Sequence, residues 1–160
     1  LEKANIRAEL DDSNNTAGWK FNQYEMKGVP LRLELGPRDL ENNVVVLVRR
    51  DTHEKVVVSL DELETKVASL LDEIQENLYN MALTRLNNSI VEVNTMEEMV
   101  DAINNKKVAV ACHCGDINCE ENIKSETTIQ TRVIIGDVEN GKCIKCGKKA
   151  KYKVYFAKQY

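Results

Sequence analysis

Four cysteines set in two close pairs constrain this chain more than any other feature. Cys114 and Cys119 are spaced C-x4-C, and Cys143 and Cys146 are spaced C-x2-C, with 23 residues between the pairs. A tetrahedral zinc ion takes four soft or borderline ligands, and two turn-borne pairs supply them, each closing a small loop. Gly115 follows the first thiol and Gly147 the last, where a freely turning backbone lets amides approach the sulfurs. Lys142, Lys145, Lys148 and Lys149 stand beside the second pair and soften the charge of a four-thiolate site. Four protein ligands leave no open position, so a zinc held this way is structural and not catalytic. Cys112 and His113 are spare candidates, either able to substitute for Cys114. Two other readings stand beside the metal. "CIKC" as a redox pair expects a strand before it and a helix after it, but Gly, Lys and a strand follow. Simple buried thiols leave the paired spacing unexplained.

The fifth cysteine makes the count odd, and the opening "LEKANIRAEL" has no apolar core of a secretory signal, so reduced thiols are expected. No run approaches the roughly 18 apolar residues of a membrane span, and the expectation is a soluble, cytoplasmic chain. A start at Leu1, inside an amphipathic pattern, reads as a piece of something longer. The net charge of −4 conceals a polarity along the chain. Asp61 to Glu76 carries six acids against one Lys, whereas Gly141 to Tyr160 carries seven Lys and no acid. Binding responds to local field, so an anionic partner is compatible with the acidic total. A solvated face is the ordinary alternative for such a run.

Hydrophobic periodicity places the elements. "NIRAEL" (5–10) reads as a short strand, "LRLELG" as a strand with Leu31, Leu33 and Leu35 on one face and Arg32 and Glu34 on the other. "VVVLV" (44–48) reads as a central strand, paired in a hairpin with "EKVVVS" (54–59). Ser59 to Glu62 has capping-box spacing before a long helix to about residue 86, whose stripe is Leu63, Val67, Leu70, Leu71, Ile74, Leu78 and Met81. A boundary near 87–93 gives domains at 1–88 and 89–160. The second opens with a capping box at Thr95 to Glu98 and a helix through Ile103, then the strand "KVAVA", the helix "CEENIKSE", the strand "TRVII", the "CIKC" turn and the strand "KYKVYFA".

Residues 18–39, "GWKFNQYEMKGVPLRLELGPRD", crowd together the only Trp, one of two Phe, both Pro and three of seven Gly. Pro30, Gly28 and Gly36 are turn residues, and Trp19 reads as a packing residue. Single-stranded RNA loops are read by stacking bases on aromatics and by bonding their edges with charged groups. Phe21 and Glu25, four apart, share one face if "KFNQYEM" is helical. Arg32 with Glu34 reads otherwise as an exposed cross-strand pair of little energetic worth.

The segment "GWKFNQYEMKGVPLRLELGPRDLENNVVVLVRRDT" resembles the anticodon-binding domain of prolyl-tRNA synthetases, which are class II aminoacyl-tRNA synthetases. "CHCGDINCEENIKSETT" with "GKCIKCGKKAKYKVYFAKQY" resembles the C-terminal zinc domain that marks the eukaryote-like form of the same enzyme, also archaeal and in some bacteria. Position 24 is Tyr where the family often has Trp, and Ala17 stands where Pro is common.

The resemblance implies an α/β anticodon-binding domain, a mixed sheet with flanking helices that lacks its first strand, followed by a small α+β zinc-binding domain. It implies anticodon contacts at Phe21, Glu25, Arg32, Arg38 and Asp39, and also at Lys55, whose segment "RRDTHEK" differs in length from some relatives. Glu25 and Asp39 would accept from guanine, and the arginines would donate to base or phosphate. The zinc ligands would be Cys114, Cys119, Cys143 and Cys146. The carboxylate of Tyr160 would reach toward the active site of a catalytic domain, which these residues do not include, so no catalytic residue is expected here. ATP and Mg would belong to that domain, in a homodimeric parent, and the partner would be the tRNA(Pro) anticodon loop. A free-standing zinc-ribbon interaction module or a nonspecific RNA-binding module is the alternative.

Overall fold

The structure of the protein, a computed structural model, describes Leu1–Gln159 and divides into two units, Leu1–Ala82 and Leu83–Tyr160. Tyr160 lies outside the described residues, and with it the expectation for the terminal carboxylate.

In the first unit, Thr16 caps helix α1 (Ala17–Met26), its hydroxyl accepting from the Trp19 N–H at 3.4 Å. The helix gives way to Gly28, whose φ of +84° is the left-handed turn that a β-carbon disfavours. Strand β1 (Leu31–Glu34) follows, then the short helix α2 (Pro37–Glu41) and the hairpin β2 (Val44–Arg49) and β3 (Lys55–Ser59). The sheet order is β1-β2-β3 with β2 central, and both pairings are antiparallel.

Period-two alternation sorts the side chains of this sheet. Leu31, Leu33, Val45, Leu47, Val56 and Val58 share one face by register. There Val45, Leu47 and Val58 build a core with Val67 and Leu70 of the long helix α3 (Leu63–Ser89). Arg32, Glu34, Val46, Val48, Lys55 and Val57 take the opposite face. α3 begins through a 3-10 turn at Leu60–Glu62, where Ser59 Oγ accepts from the Asp61 N–H at 3.3 Å and the expected capping box is not made. Of its apolar stripe, Val67, Leu70 and Ile74 are buried, whereas Met81 is exposed.

A buried ion pair ties the hairpin turn to α3. Arg49 donates from Nη2 to Asp51 Oδ2 at 2.8 Å and from Nη1 to Glu73 Oε2 at 3.1 Å, and Asn77 Nδ2 donates to Asp51 at 2.7 Å. The hydrogen bonds from Arg49, working against desolvation, hold the Asp51 carboxyl down at about 2.

Two further expectations fail here. Residues 5–10 form no strand. Ile6 packs against the core, but the polar side chains are drawn to α1: Tyr24 Oη donates to Glu9 at 3.2 Å, and Lys20 Nζ meets Asp11 at 3.3 Å. Side-chain pairing to a helix, not backbone pairing to a sheet, fixes the segment. Trp19 is not a packing residue either, with 51% of its surface exposed in the first turn of α1.

The second unit holds a four-stranded sheet in the order β4-β5-β7-β6. Strand β4 (Ile90–Glu92), which the periodicity does not signal because it is three residues long, runs parallel to β5 (Val108–His113) through helix α4 (Met96–Asn104). α4 opens with the expected capping box: Thr95 Oγ1 accepts from the Glu98 N–H at 3.1 Å, and Glu98 accepts from the Asn94 and Thr95 N–H groups. Helix α5 (Ile117–Thr127) and strands β6 (Ile129–Asp137) and β7 (Tyr152–Lys158) complete the unit, β7 lying antiparallel between β5 and β6. The core joins Met99 and Ile103 of α4, Ala109 and Ala111 of β5, Ile123 of α5, Ile129, and Val154 and Phe156 of β7. Among the described residues, no helix is long and apolar enough to cross a membrane.

Candidate nucleic-acid interface and metal centre

Four of the six expected anticodon contacts come together on the polar face of the first sheet. α1 is helical across Phe21 and Glu25, so both project from one side of it. The Arg32 guanidinium lies over the Phe21 ring, with Cζ 3.9 Å from the ring centroid. Its Nη1 donates to Glu25 Oε1 at 2.7 Å and its Nε to Glu34 Oε1 at 3.0 Å. The second oxygen of Glu34 accepts from Lys55 Nζ at 3.5 Å. Phe21, Glu25, Arg32 and Lys55 are therefore one connected, half-buried to exposed cluster, and Glu34 is its central carboxylate.

Arg38 and Asp39 are placed otherwise. Both lie on α2, and no hydrogen bond or ion pair joins their side chains to the cluster among the described residues. Asp39 Oδ2 accepts from the Gly36 N–H at 2.8 Å, so one of its oxygens caps α2 from the third helical position. The exposed Arg38 side chain projects from the first turn of that helix.

The cysteine pairs converge in the second unit. β5 delivers His113 and Cys114, Asp116 caps α5 and fixes Cys119 in its first turn, and a tight turn carries Cys143 and Cys146. That turn is held by the Cys143 N–H donating to Lys148 O at 2.8 Å and the Gly147 N–H to Cys143 O at 2.9 Å. Its Ile144 N–H reaches back to Cys112 O on β5 at 2.9 Å. Gly115 and Gly147 both adopt positive φ, +81° and +71°. No helix follows the C-x2-C turn.

Each thiol of the second pair lies against a thiol of the first. Cys119 Sγ and Cys143 Sγ are 3.6 Å apart, and Cys114 Sγ and Cys146 Sγ are 3.8 Å apart. Zinc–sulfur bonds of about 2.3 Å in a tetrahedron put sulfurs about 3.8 Å apart, which each of these two pairs matches, although the set of ligand atoms lying mutually within 4.8 Å takes His113 and not the exposed Cys146. His113 adds a competing donor: a nitrogen of its ring and the sulfurs of Cys114, Cys119 and Cys143 all lie within 4.8 Å of one another. The imidazole is buried on the core face, edge-on to Phe156 at 6.0 Å, and its Nε2 has no hydrogen-bond partner. Burial lowers its pKa and keeps it neutral, the form that can ligate a metal.

The thiols divide electrostatically. Burial pushes Cys119 and Cys114 up. Burial also opposes ionisation of Cys143, but the backbone N–H groups of Cys146, Lys145 and Cys114 outweigh it and bring that thiol down to about 7. Of the lysines expected to offset the charge, Lys145 pairs with Glu126 on α5.

Comparison with known proteins identifies both domains. The family model described as an anticodon binding domain matches residues 1–70, and that described as the C-terminal domain of prolyl-tRNA synthetase matches residues 96–160. The chain carries the anticodon-binding and C-terminal domains found in prolyl-tRNA synthetases. It is 47% identical over 156 residues to a proline–tRNA ligase of Oceanobacillus iheyensis and 44% identical over 158 residues to one of Clostridium botulinum. These alignments cover 96% and 97% of this chain and 33% of each relative. A crystal structure of the prolyl-tRNA synthetase of Cryptosporidium parvum, complexed with L-proline and AMP, matches with a TM-score of 0.91 at 42% identity. That match covers 100% of this chain and 35% of the other. The chain thus spans about a third of the length of the prolyl-tRNA synthetases it matches, and it carries the anticodon-binding and C-terminal domains of the family.

Proposed function

We propose that this chain reads the anticodon of tRNA(Pro) for a synthetase that ligates L-proline to that tRNA using ATP. The observation that carries the reading is the cluster of Phe21, Glu25, Arg32 and Lys55 on one face of a domain that matches the anticodon-binding family. Proline anticodons share G at their second and third letters. A guanine Watson–Crick edge offers two N–H donors, suited to a carboxylate such as Glu25 or the second oxygen of Asp39, while O6 and N7 accept from Arg. The Phe21 ring with Arg32 over it is a platform for a stacked base. Arg38, on exposed α2, supplies a base or phosphate contact.

Cys114, Cys119, Cys143 and Cys146 hold a structural zinc. The cross-paired sulfurs support this assignment, and a bound zinc would tie the end of β5, the start of α5 and the C-x2-C turn together. His113 is the alternative fourth donor. The active site with its ATP and Mg, the contact of the Tyr160 carboxylate with it and the homodimer belong to the parent enzyme, which acts in the cytoplasm.

Titration with a labelled stem-loop bearing UGG, and with each G replaced by A, at two salt concentrations, tests the reading. A preference for UGG supports it. Equal, salt-sensitive binding of all three loops means sequence-independent attraction to phosphate and sinks it.

A further inference from the structure

We infer that Glu34 is the positioning residue of the anticodon-reading surface, aligning Arg32 and Lys55 together; this rests on the function proposed above. Strand register puts one carboxylate within reach of both cations. Arg32 and Lys55 each pair across from Val48, on opposite sides of the central strand, while Glu34 faces Val46, one pleat further along the same face. From there Glu34 Oε1 accepts from Arg32 Nε at 3.0 Å and Oε2 from Lys55 Nζ at 3.5 Å.

The Arg32 guanidinium is a plane that can rotate about its Cδ–Nε bond. Three contacts fix that rotation: Glu34 at Nε, Glu25 at Nη1 and the Phe21 ring beneath. Among the described residues Nη2 has no such partner, and it stays available to a base or phosphate. Glu25 likewise keeps Oε2 for a guanine edge while Oε1 is held. Removing Glu34 frees Nε, and the plane can then leave the ring and release Glu25. The ordering now built into the free protein would have to be supplied on binding, which weakens binding.

Charge adds a signature that packing alone would not produce. Arg32 and Lys55 are balanced by Glu25 and Glu34, so the reading surface is neutral as a group. Loss of the Glu34 charge leaves it cationic, which strengthens attraction to any RNA phosphate. Glu34 therefore raises discrimination while holding down indiscriminate binding.

The test uses the 160-residue chain with the UGG stem-loop and its two G→A versions, comparing wild type with Glu34→Ala and Glu34→Gln, with melting followed in parallel. Glu34→Ala is expected to lower the preference for UGG by about fivefold, the effect of losing one or two ordered side chains. Affinity for the A-substituted loops should hold or rise, the salt dependence should steepen and melting should hold. Glu34→Gln should fall between, keeping an acceptor for Arg32 but not the charge, and it carries the test if the alanine variant does not fold. A wild-type preference retained in both variants overturns the role of Glu34 and leaves the anticodon reading standing. Equal weakening toward all three loops also overturns it, because that is what mere structural damage would do. Absence of any preference in the wild type overturns the anticodon reading, and this inference with it.

Discussion

The Arg32 guanidinium lies over the Phe21 ring at 3.9 Å while its Nη1 holds Glu25 at 2.7 Å. Phe21→Ala should lower affinity for the UGG stem-loop by about 1–3 kcal/mol, the worth of one stacked base. Arg32→Lys keeps the charge but loses the plane, and should show a similar loss. Isothermal titration of both variants checks this; a lysine variant that binds as the wild type does would place Arg32 outside the contact.

Asp39 has one observed task and one proposed task, and the two separate experimentally. Its Oδ2 accepts from the Gly36 N–H, so Asp39→Ala should cost about 0.5–1 kcal/mol of stability in urea titration. If its other oxygen reads a guanine, the same change lowers UGG affinity by about 1–3 kcal/mol as well. A stability loss with unaltered affinity would reduce Asp39 to a helix cap.

Asp51 predicts a stability change in acid. Its folded-state pKa of about 2 lies below the model-compound value of 3.8. The charged form is favoured by folding, so the contribution is complete above about pH 4 and declines as pH falls toward 2. Asp51→Ala removes this titration and leaves Arg49 with Glu73 alone, at a cost of about 3 kcal/mol, near the low end for breaking a buried pair. Denaturant midpoints from pH 2 to 7 for both proteins should converge at the acid end. Parallel curves would mean Asp51 titrates normally.

Zinc stoichiometry distinguishes the fourth ligand. Cys146→Ser should lose tight zinc binding and His113→Ala should keep it if the four thiols are the ligand set. The opposite pattern would assign the site to His113, Cys114, Cys119 and Cys143. Chelation should unfold the second unit, read from its NMR amide signals, while Trp19 fluorescence in the first unit stays as it was.

Gly115 combines φ +81° with a position where a β-carbon would stand 2.9 Å from the Tyr152 ring. Gly115→Ala should destabilise the second unit by about 2 kcal/mol, with at least half from the left-handed backbone. Thermal melting of the zinc-loaded protein measures it, and an unchanged midpoint would contradict the geometry.

Much of this was legible in the chain because its signals are local. Thr95 and Glu98 sit three apart and form their capping box from contacts within one turn. Leu31 and Leu33 alternate with Arg32 and Glu34 because a strand has period two, and that alternation survives into the sheet. Two cysteine pairs at turn spacing announced a shared centre, and the sulfurs do meet across the pairs. Other features depend on where distant segments are brought together. "NIRAEL" has a strand's composition, yet Tyr24 of α1 claims its Glu9, and Lys20 claims Asp11 just beyond it. Glu34 is one charge among many until β1 and β3 align it with Lys55, 21 residues away. Asp51 has Arg49 close by in the chain but gains Asn77 from α3, and His113 joins the thiols only because β5 ends beside α5 and the C-x2-C turn. The sequence by itself determined the type of most elements, the facing of the strands and a list of candidate metal ligands, since these follow from short-range geometry. Only the tertiary structure decided which distant groups join the short-range pairs Arg32–Glu34 and Arg49–Asp51, because Glu25, Lys55 and Glu73 reach them from other elements, where spacing along the chain carries no information.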